Sequence, residues 1–213
     1  MENKKTIIFA IIIAFILILL IIVGIPLFIQ AYNKLKLKHV HSHVDNYSHK
    51  VDTSYNNHKE ASNLLAILNK NTDLIFRFLK ERNFSNDPEF NGFKKRALRN
   101  YNPDNIFENV PFDLSSDTSF TVNKKSMGIC LRDKDNDNHL IDSNTLLFVY
   151  LHELSHMGSI SIGHDDNEFW RNFKKLLKIA VSLGIYVPDN YAINNKHYCG
   201  ITIQHNPLFD NTI

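Results

Sequence analysis

Cysteine is nearly absent, with Cys130 and Cys199 the only two in a chain of 213 residues. That excludes a disulfide scaffold and leaves no CxxC pair for a thiolate zinc site. Two cysteines are too few to assign a redox compartment. They could pair in an oxidising space or sit as small buried hydrophobes, and buried thiols are the default reading. Glycine (seven) and proline (six) are also scarce, which argues against a long disordered tail. Charge of one sign is lacking too. At a net charge of +2, nothing in the global balance calls for a nucleic-acid partner.

Hydrophobic residues make up 44% of the chain, ample for a core, although one N-terminal run inflates the figure. Residues 7–29 are uncharged and almost wholly apolar, interrupted only by Gly24 and Pro26. As a helix this run would be about 35 Å long, enough for a bilayer core. A cleavable signal would have a shorter apolar region ending in small residues, and Pro26-Leu27-Phe28-Ile29-Gln30-Ala31 is a poor cleavage site. Residues 1–30 are therefore expected to be a retained single-span anchor, which places the protein in a membrane. Lys4 and Lys5 before the run and Lys34, Lys36 and Lys38 after it do not decide which side the remainder faces.

Residues 31–60 read as a juxtamembrane stalk. His39, His41, His43, His49 and His58 lie there among Ser, Asn, Asp and Tyr, without helical spacing or cysteine, so the tract is expected to be solvated and is assigned no metal chemistry. Two sequons, Asn46-Tyr47-Ser48 and Asn83-Phe84-Ser85, would matter only on a lumenal domain.

Residues 61–213 are expected to form the folded domain. Apolar residues from Ala61 to Leu79 recur at three- and four-residue spacings, predicting one helix, or two split near Asn69-Lys70-Asn71, to about Glu81. Residues 83–91 read as a loop and Lys94–Arg99 as a short basic helix whose charges are taken as a solvated face. Ser119–Asn123 and Met127–Arg132 read as a hairpin, the second strand being the guess for a substrate-binding edge. Residues 133–138 resemble a calcium loop but lack the required Gly and Glu, so they read as a polar turn. A last helix is predicted from about Asp166 to Leu183, stopped by Gly184. The aromatic tail beyond it offers Tyr198, Tyr191 and His197 as oxyanion-donor candidates, each with core packing as the stronger expectation.

The chemistry concentrates in Leu146–His156, which carries HExxH on an apolar helical pattern starting near Ser143 and stopping at Gly158. Histidines at i and i+4 lie about 40° apart around a helix, so His152 and His156 can reach one ion. Zinc takes neutral imidazoles and, in catalytic sites, keeps a position for water whose pKa it lowers toward neutrality. Glu153, beside His152, is placed to accept that proton. Two histidines and a glutamate on an apolar segment would be costly to bury without such partners. A third ligand must come from elsewhere, and His164 follows His156 by eight residues across a segment with two glycines. The metzincin spacing is six, so this is not a metzincin. Asp165, Asp166 and Glu168 compete, but Asp165 with Glu168 also reads as a capping box for the next helix.

His152-Glu153-Leu154-Ser155-His156, then Gly163-His164, then Glu168-Phe169-Trp170, resembles the WLM family of zinc metallopeptidases, relatives of the SprT/Spartan group, in the form found in large DNA viruses. The likeness takes in Cys130-Leu131-Arg132 and Asp142–Leu146 upstream. Downstream it takes in Leu183–Tyr186, Asp189-Asn190-Tyr191 and Tyr198-Cys199-Gly200. It implies His152, His156 and His164 as ligands of one zinc per chain and Glu153 as the catalytic base. A membrane segment before the domain departs from the soluble DNA-repair members.

The expectation is an α+β fold: a small zincin-like metallopeptidase domain, mainly helical with a small sheet, behind an N-terminal transmembrane helix. The expected activity is zinc-dependent hydrolysis of a protein or peptide substrate. Two rivals are a catalytically inactive zinc-bearing membrane or virion component and a DNA-associated repair protease. Intact ligands with Glu153 oppose the first, and the anchor and balanced charge oppose the second.

Overall fold

Every carbonyl and amide of an apolar run must find a partner within the run if it is to leave water, and a helix is the local solution. In a computed structural model of the chain, α1 (Glu2–Leu19) passes through a π-helical turn (Leu20–Gly24) into α2 (Ile25–Lys36). The widened turn precedes Pro26, which has no N–H to give Ile22 and whose ring crowds that carbonyl. Ile7–Phe28 is a helix long and apolar enough to cross a membrane. The structure describes residues 2–109, 118–133, 139–161, 163–164 and 167–213. It divides into two units, residues 1–37 and 38–213.

The second unit is mixed α/β. Its sheet runs β1 (Leu37–His41), β2 (Ser48–Asp52), β3 (Ile106–Glu108), β5 (Ser126–Ile129), β4 (Phe120–Val122) in spatial order. β2 and β3 are parallel with Lys50 opposite Phe107, and β3 and β5 are parallel with Phe107 opposite Gly128. β4 returns antiparallel to β5, Val122 facing Ser126. The stretch expected as a stalk thus supplies two strands. Ser48 and Lys50 of β2 are exposed, while Val51 and Asp52 are fully buried. Their pairing partner lies more than fifty residues on, a non-local match that local composition does not announce. The guess for the exposed edge is also corrected: β5 is internal, and among the described residues β4 is the edge strand beside it.

The β2–β3 crossover holds α3 (His58–Glu81) and α4 (Pro88–Asn100). α3 is one uninterrupted helix: Asn69 donates no kink and instead sits buried, accepting hydrogen bonds from Tyr101 Oη (2.8 Å) and Tyr150 Oη (2.9 Å). The loop before α4 is shorter than expected because Asp87 caps the helix, accepting from Phe90 N at 3.0 Å, with Pro88 in the first turn. Phe90, Phe93 and Ala97 turn inward, and the basic face is engaged by neighbours. Arg96 Nε donates to Gly158 O (2.6 Å) and Lys94 Nζ to Arg82 O (2.9 Å). At the sheet's end Glu108 is buried, accepting from Arg132 Nε (2.7 Å) and Asp52 N (2.7 Å). Burial pushes its carboxyl up despite the guanidinium.

α5 (Ser143–Gly158) starts where Asp142 accepts from Thr145 N at 2.9 Å. Buried on nearly every side, it packs against α3, α4, α6 (Asn167–Ser182) and β4. Gly184, at φ +70°, ends α6 with Ile185 N bonded to Ala180 O (3.1 Å) and Gly184 N to Val181 O (3.0 Å), a Schellman motif. Gly158 differs from expectation. It is the last residue of α5, and Ser159 leaves it extended. A Cβ on Gly158 would collide with the Phe93 ring, so close helix approach, rather than a left-handed cap, requires glycine. A short hairpin, β6 (Lys196–Tyr198) and β7 (Ile201–Ile203), closes the fold. Cys130 and Cys199, expected as buried thiols, are joined in a disulfide with Cα atoms 6.4 Å apart.

Candidate metal centre

Because His152 and His156 are one helical turn apart, α5 presents both imidazoles on one side, half-buried, at a cleft of about 810 Å³. His164 arrives from the α5–α6 connection. His164 Nε2 lies 2.9 Å from His152 Nε2 and 3.0 Å from His156 Nε2. The three ligand atoms fall within 4.8 Å of one another. The sequence-predicted ligands are therefore brought together, and Glu153 is buried beside them. Asp165 and Asp166 lie outside the described residues. Glu168 is committed elsewhere, accepting from Ile160 N (2.9 Å), Arg96 Nη2 (3.0 Å) and Asn172 Nδ2 (3.0 Å). It anchors the start of the connection whose end carries His164.

Three converging ring nitrogens pose a proton-assignment problem. A neutral imidazole has one N–H, so a proton on His164 Nε2 would be split between two acceptors. Tetrahedral zinc with Zn–N near 2.0–2.1 Å would hold such nitrogens about 3.3 Å apart, close to the two separations from His164, and would satisfy all three lone pairs at once. The donor set fits a zinc ion. The site also keeps the rings neutral. Burial, then the neighbouring His156 and His164, pushes His152 down to about 3. Burial, then His164 and Lys124, takes His156 down to about 4.

Glu153 is the converse. Burial raises its carboxyl to about 7, only partly offset by Thr121, whose hydroxyl lies 2.9 Å from Glu153 Oε2 and 3.1 Å from Glu153 O. Thr121 is on β4, so the edge strand and the helix carrying the carboxylate are joined directly.

The residues after His164 hold the cluster. Phe169 packs against all three imidazoles, with ring centroids 5.0 Å from His152, 4.4 Å from His156 and 4.9 Å from His164. Trp170 Nε1 donates to His164 O at 2.9 Å, fixing the backbone of the third histidine. Phe173 sets its ring edge-on to His152 at 5.3 Å. Phe169 and Trp170 thus pack against the histidines carried by α5 and by the connection after it.

Two contributors were not foreseen. Lys124, at the tip of the β4–β5 hairpin with φ +57°, donates its ammonium to Ser159 O, Ile160 O and Ser161 O at 2.5, 2.6 and 3.1 Å. Burial lowers its pKa, and the three carbonyls stitch the hairpin to the connection bearing His164. His205 lines the same cleft, 3.2 Å from Asp210 Oδ2 and edge-on to Trp170 at 5.3 Å. The tail donors expected instead are occupied or remote. Tyr198 lines the cleft, but its hydroxyl donates to Cys130 O (2.9 Å) and meets Ser119 Oγ (2.6 Å). Tyr191 is fully buried against Phe148, and His197 faces Asp133 at 3.8 Å.

No family model matches the chain, and no solved structure does. It is 30% identical over 192 residues to the uncharacterized protein R325 of Acanthamoeba polyphaga mimivirus, covering 90% of this chain and 94% of that one. The chain belongs to that protein's family. It is also similar to uncharacterized protein 042R of Invertebrate iridescent virus 3, 39% identical over 97 residues, or 46% of this chain and 58% of the relative. With uncharacterized protein 136R of Invertebrate iridescent virus 6 it shares 43% identity over 82 residues, 38% of this chain and 44% of that one.

Proposed function

We propose that the protein is a membrane-anchored zinc metallopeptidase of the WLM kind, with a zincin-like site, anchored by the helix spanning Ile7–Phe28. The observation that carries this reading is the meeting of the His152, His156 and His164 Nε2 atoms in a cleft, beside a buried glutamate. Those histidines would hold one zinc. When bound, zinc supplies a Lewis acid for the substrate carbonyl and lowers the pKa of water toward neutrality. Glu153, with a carboxyl near 7, is suited to accept a proton from the attacking water and to return it to the leaving amine at neutral pH. Thr121 orients that carboxyl. Among the described residues β4 has a single neighbour in the sheet, so its outer edge can pair with an extended peptide along the cleft that Phe120 and Thr121 line. His205, which lines the cleft with Asp210 Oδ2 3.2 Å from its Nε2, is the donor we assign to the charge developing on the carbonyl oxygen.

The test uses the full chain in detergent micelles, with metal content measured beside hydrolysis of fluorescent casein. Wild type should carry one zinc and cleave. Glu153→Gln should keep the zinc and lose turnover by about a thousandfold or more, the scale of removing a general base. His164→Ala should lose the zinc. Cleavage retained by Glu153→Gln, or a folded wild type that binds no zinc, refutes the reading.

A further inference from the structure

The structure joins the chain's only two cysteines, and the consequence extends beyond the cleft. Cys130 follows β5 and Cys199 sits in the β6–β7 turn; both are 1% exposed and the bond closes a loop 69 residues apart in sequence. Tyr198, next to Cys199, adds its hydroxyl bond to Cys130 O, so the link is built into the wall of the folded unit rather than hung on its surface. Cytosolic reductants keep thiols reduced, whereas such a bond forms and persists in the lumen of the secretory pathway or outside the cell. The N-terminal apolar helix is the feature that would deliver residues 38–213 there. It does so equally whether it remains as an anchor or is removed as a leader. The lysines flanking it leave the direction open, so the disulfide is the feature that decides it.

Lumenal exposure gives meaning to the chain's two sequons. Both asparagines stand on exposed turns away from the cleft. Asn46 is at the β1–β2 turn with φ +61°, beside Tyr47 at 72% exposure. Asn83 follows α3, its side-chain oxygen accepting from Ser85 N at 2.9 Å. The third residues of the two triplets, Ser48 and Ser85, are exposed as well. Among the described residues neither asparagine Nδ2 donates a hydrogen bond, so a glycan at either position displaces no contact.

We propose that residues 38–213 face the lumenal, oxidising side of the membrane and that Asn46 and Asn83 there carry N-linked glycans. The inference is independent of the peptidase reading, and neither falls with the other. To test it, the full chain with a C-terminal tag is expressed in insect cells. Treatment with peptide N-glycosidase should move the band down, with Asn46→Gln and Asn83→Gln each removing one step and the double variant removing both. Protease added to sealed microsomes should spare the tag. A maleimide should label no thiol until the protein is denatured and reduced. A wild-type band unmoved by the glycosidase overturns the proposal, as does a tag digested in sealed microsomes or a thiol labelled without reductant. A single step would overturn the assignment of whichever asparagine does not account for it.

Discussion

A buried imidazole resists protonation, and that gives the histidine cluster a signature measurable without any substrate. Unfolded, each histidine takes up a proton near 6.5; folded and stripped of metal by a chelator, His152 does so near 3 and His156 near 4. The folded values lie below the unfolded ones. The stability they contribute is therefore full above about 6.5 and is lost as pH falls toward 4. Each unit of pH in that window costs up to about 1.4 kcal/mol per histidine, discounted for His156, which opens on solvent in the cleft. The urea midpoint of the chelated protein should fall between about pH 7 and pH 5, and His152→Gln should flatten the fall. Lys124 invites a second experiment. Lys124→Met keeps the length of the side chain and removes its three carbonyl contacts, so the chain bearing His164 loosens. Zinc affinity, titrated against a chromogenic chelator, should weaken about tenfold, as for other supports of metal ligands, with the circular dichroism unchanged. The convergence of His152, His156 and His164 beside Glu153 was legible because the i, i+4 spacing puts two imidazoles on one side of a helix and the short connection after it can return a third. Lys124 and His205 were not: a lysine in a hairpin turn and a histidine in an aromatic tail look like surface until the fold folds them back over the cleft.

Among the elements, α5 was the most readable. Its apolar run and its extent were local signals, although the cap is Asp142, one residue before the start the sequence suggested, and α6 was bounded within a residue. What local signals miss is why a residue is required. Gly158 looks like a cap in sequence, yet in space it is where α4 and α5 touch. Gly158→Ala would press a methyl into the Phe93 ring, buried and stacked on Phe90 with centroids 5.4 Å apart. The neighbours cannot yield easily, and a loss of about 1–3 kcal/mol is expected in chemical denaturation, the scale of overpacking. A neutral result would mean that α4 can slide along α5. The strands were read less well. β4 and β5 form a hairpin and announced themselves, whereas β1, β2 and β3 are three to five residues long, and β2 finds β3 only across the length of α3 and α4.

For the molecule as a whole, the disulfide is the long-range constraint. It encloses α5, α6 and every candidate ligand in one loop, whose closure is worth about 4 kcal/mol on chain-entropy grounds. Replacing Cys130 and Cys199 together with serine should lower the unfolding free energy by about that order while the histidine cluster, held by α5 and Phe169, still binds zinc. Loss of zinc in the double variant would show that the bond also shapes the site. The sheet carries a different consequence. β3 is covered on one side by β2, and β2 by β1, so the folded unit begins at the first residues beyond the apolar helix. A fragment cut at residue 61, where sequence alone would start the domain, would strip away two strands and bare the flank of β3. An open, unpaired parallel edge invites pairing between molecules. Such a fragment should be lost to aggregates during purification, whereas one beginning at residue 38 keeps its own edge covered.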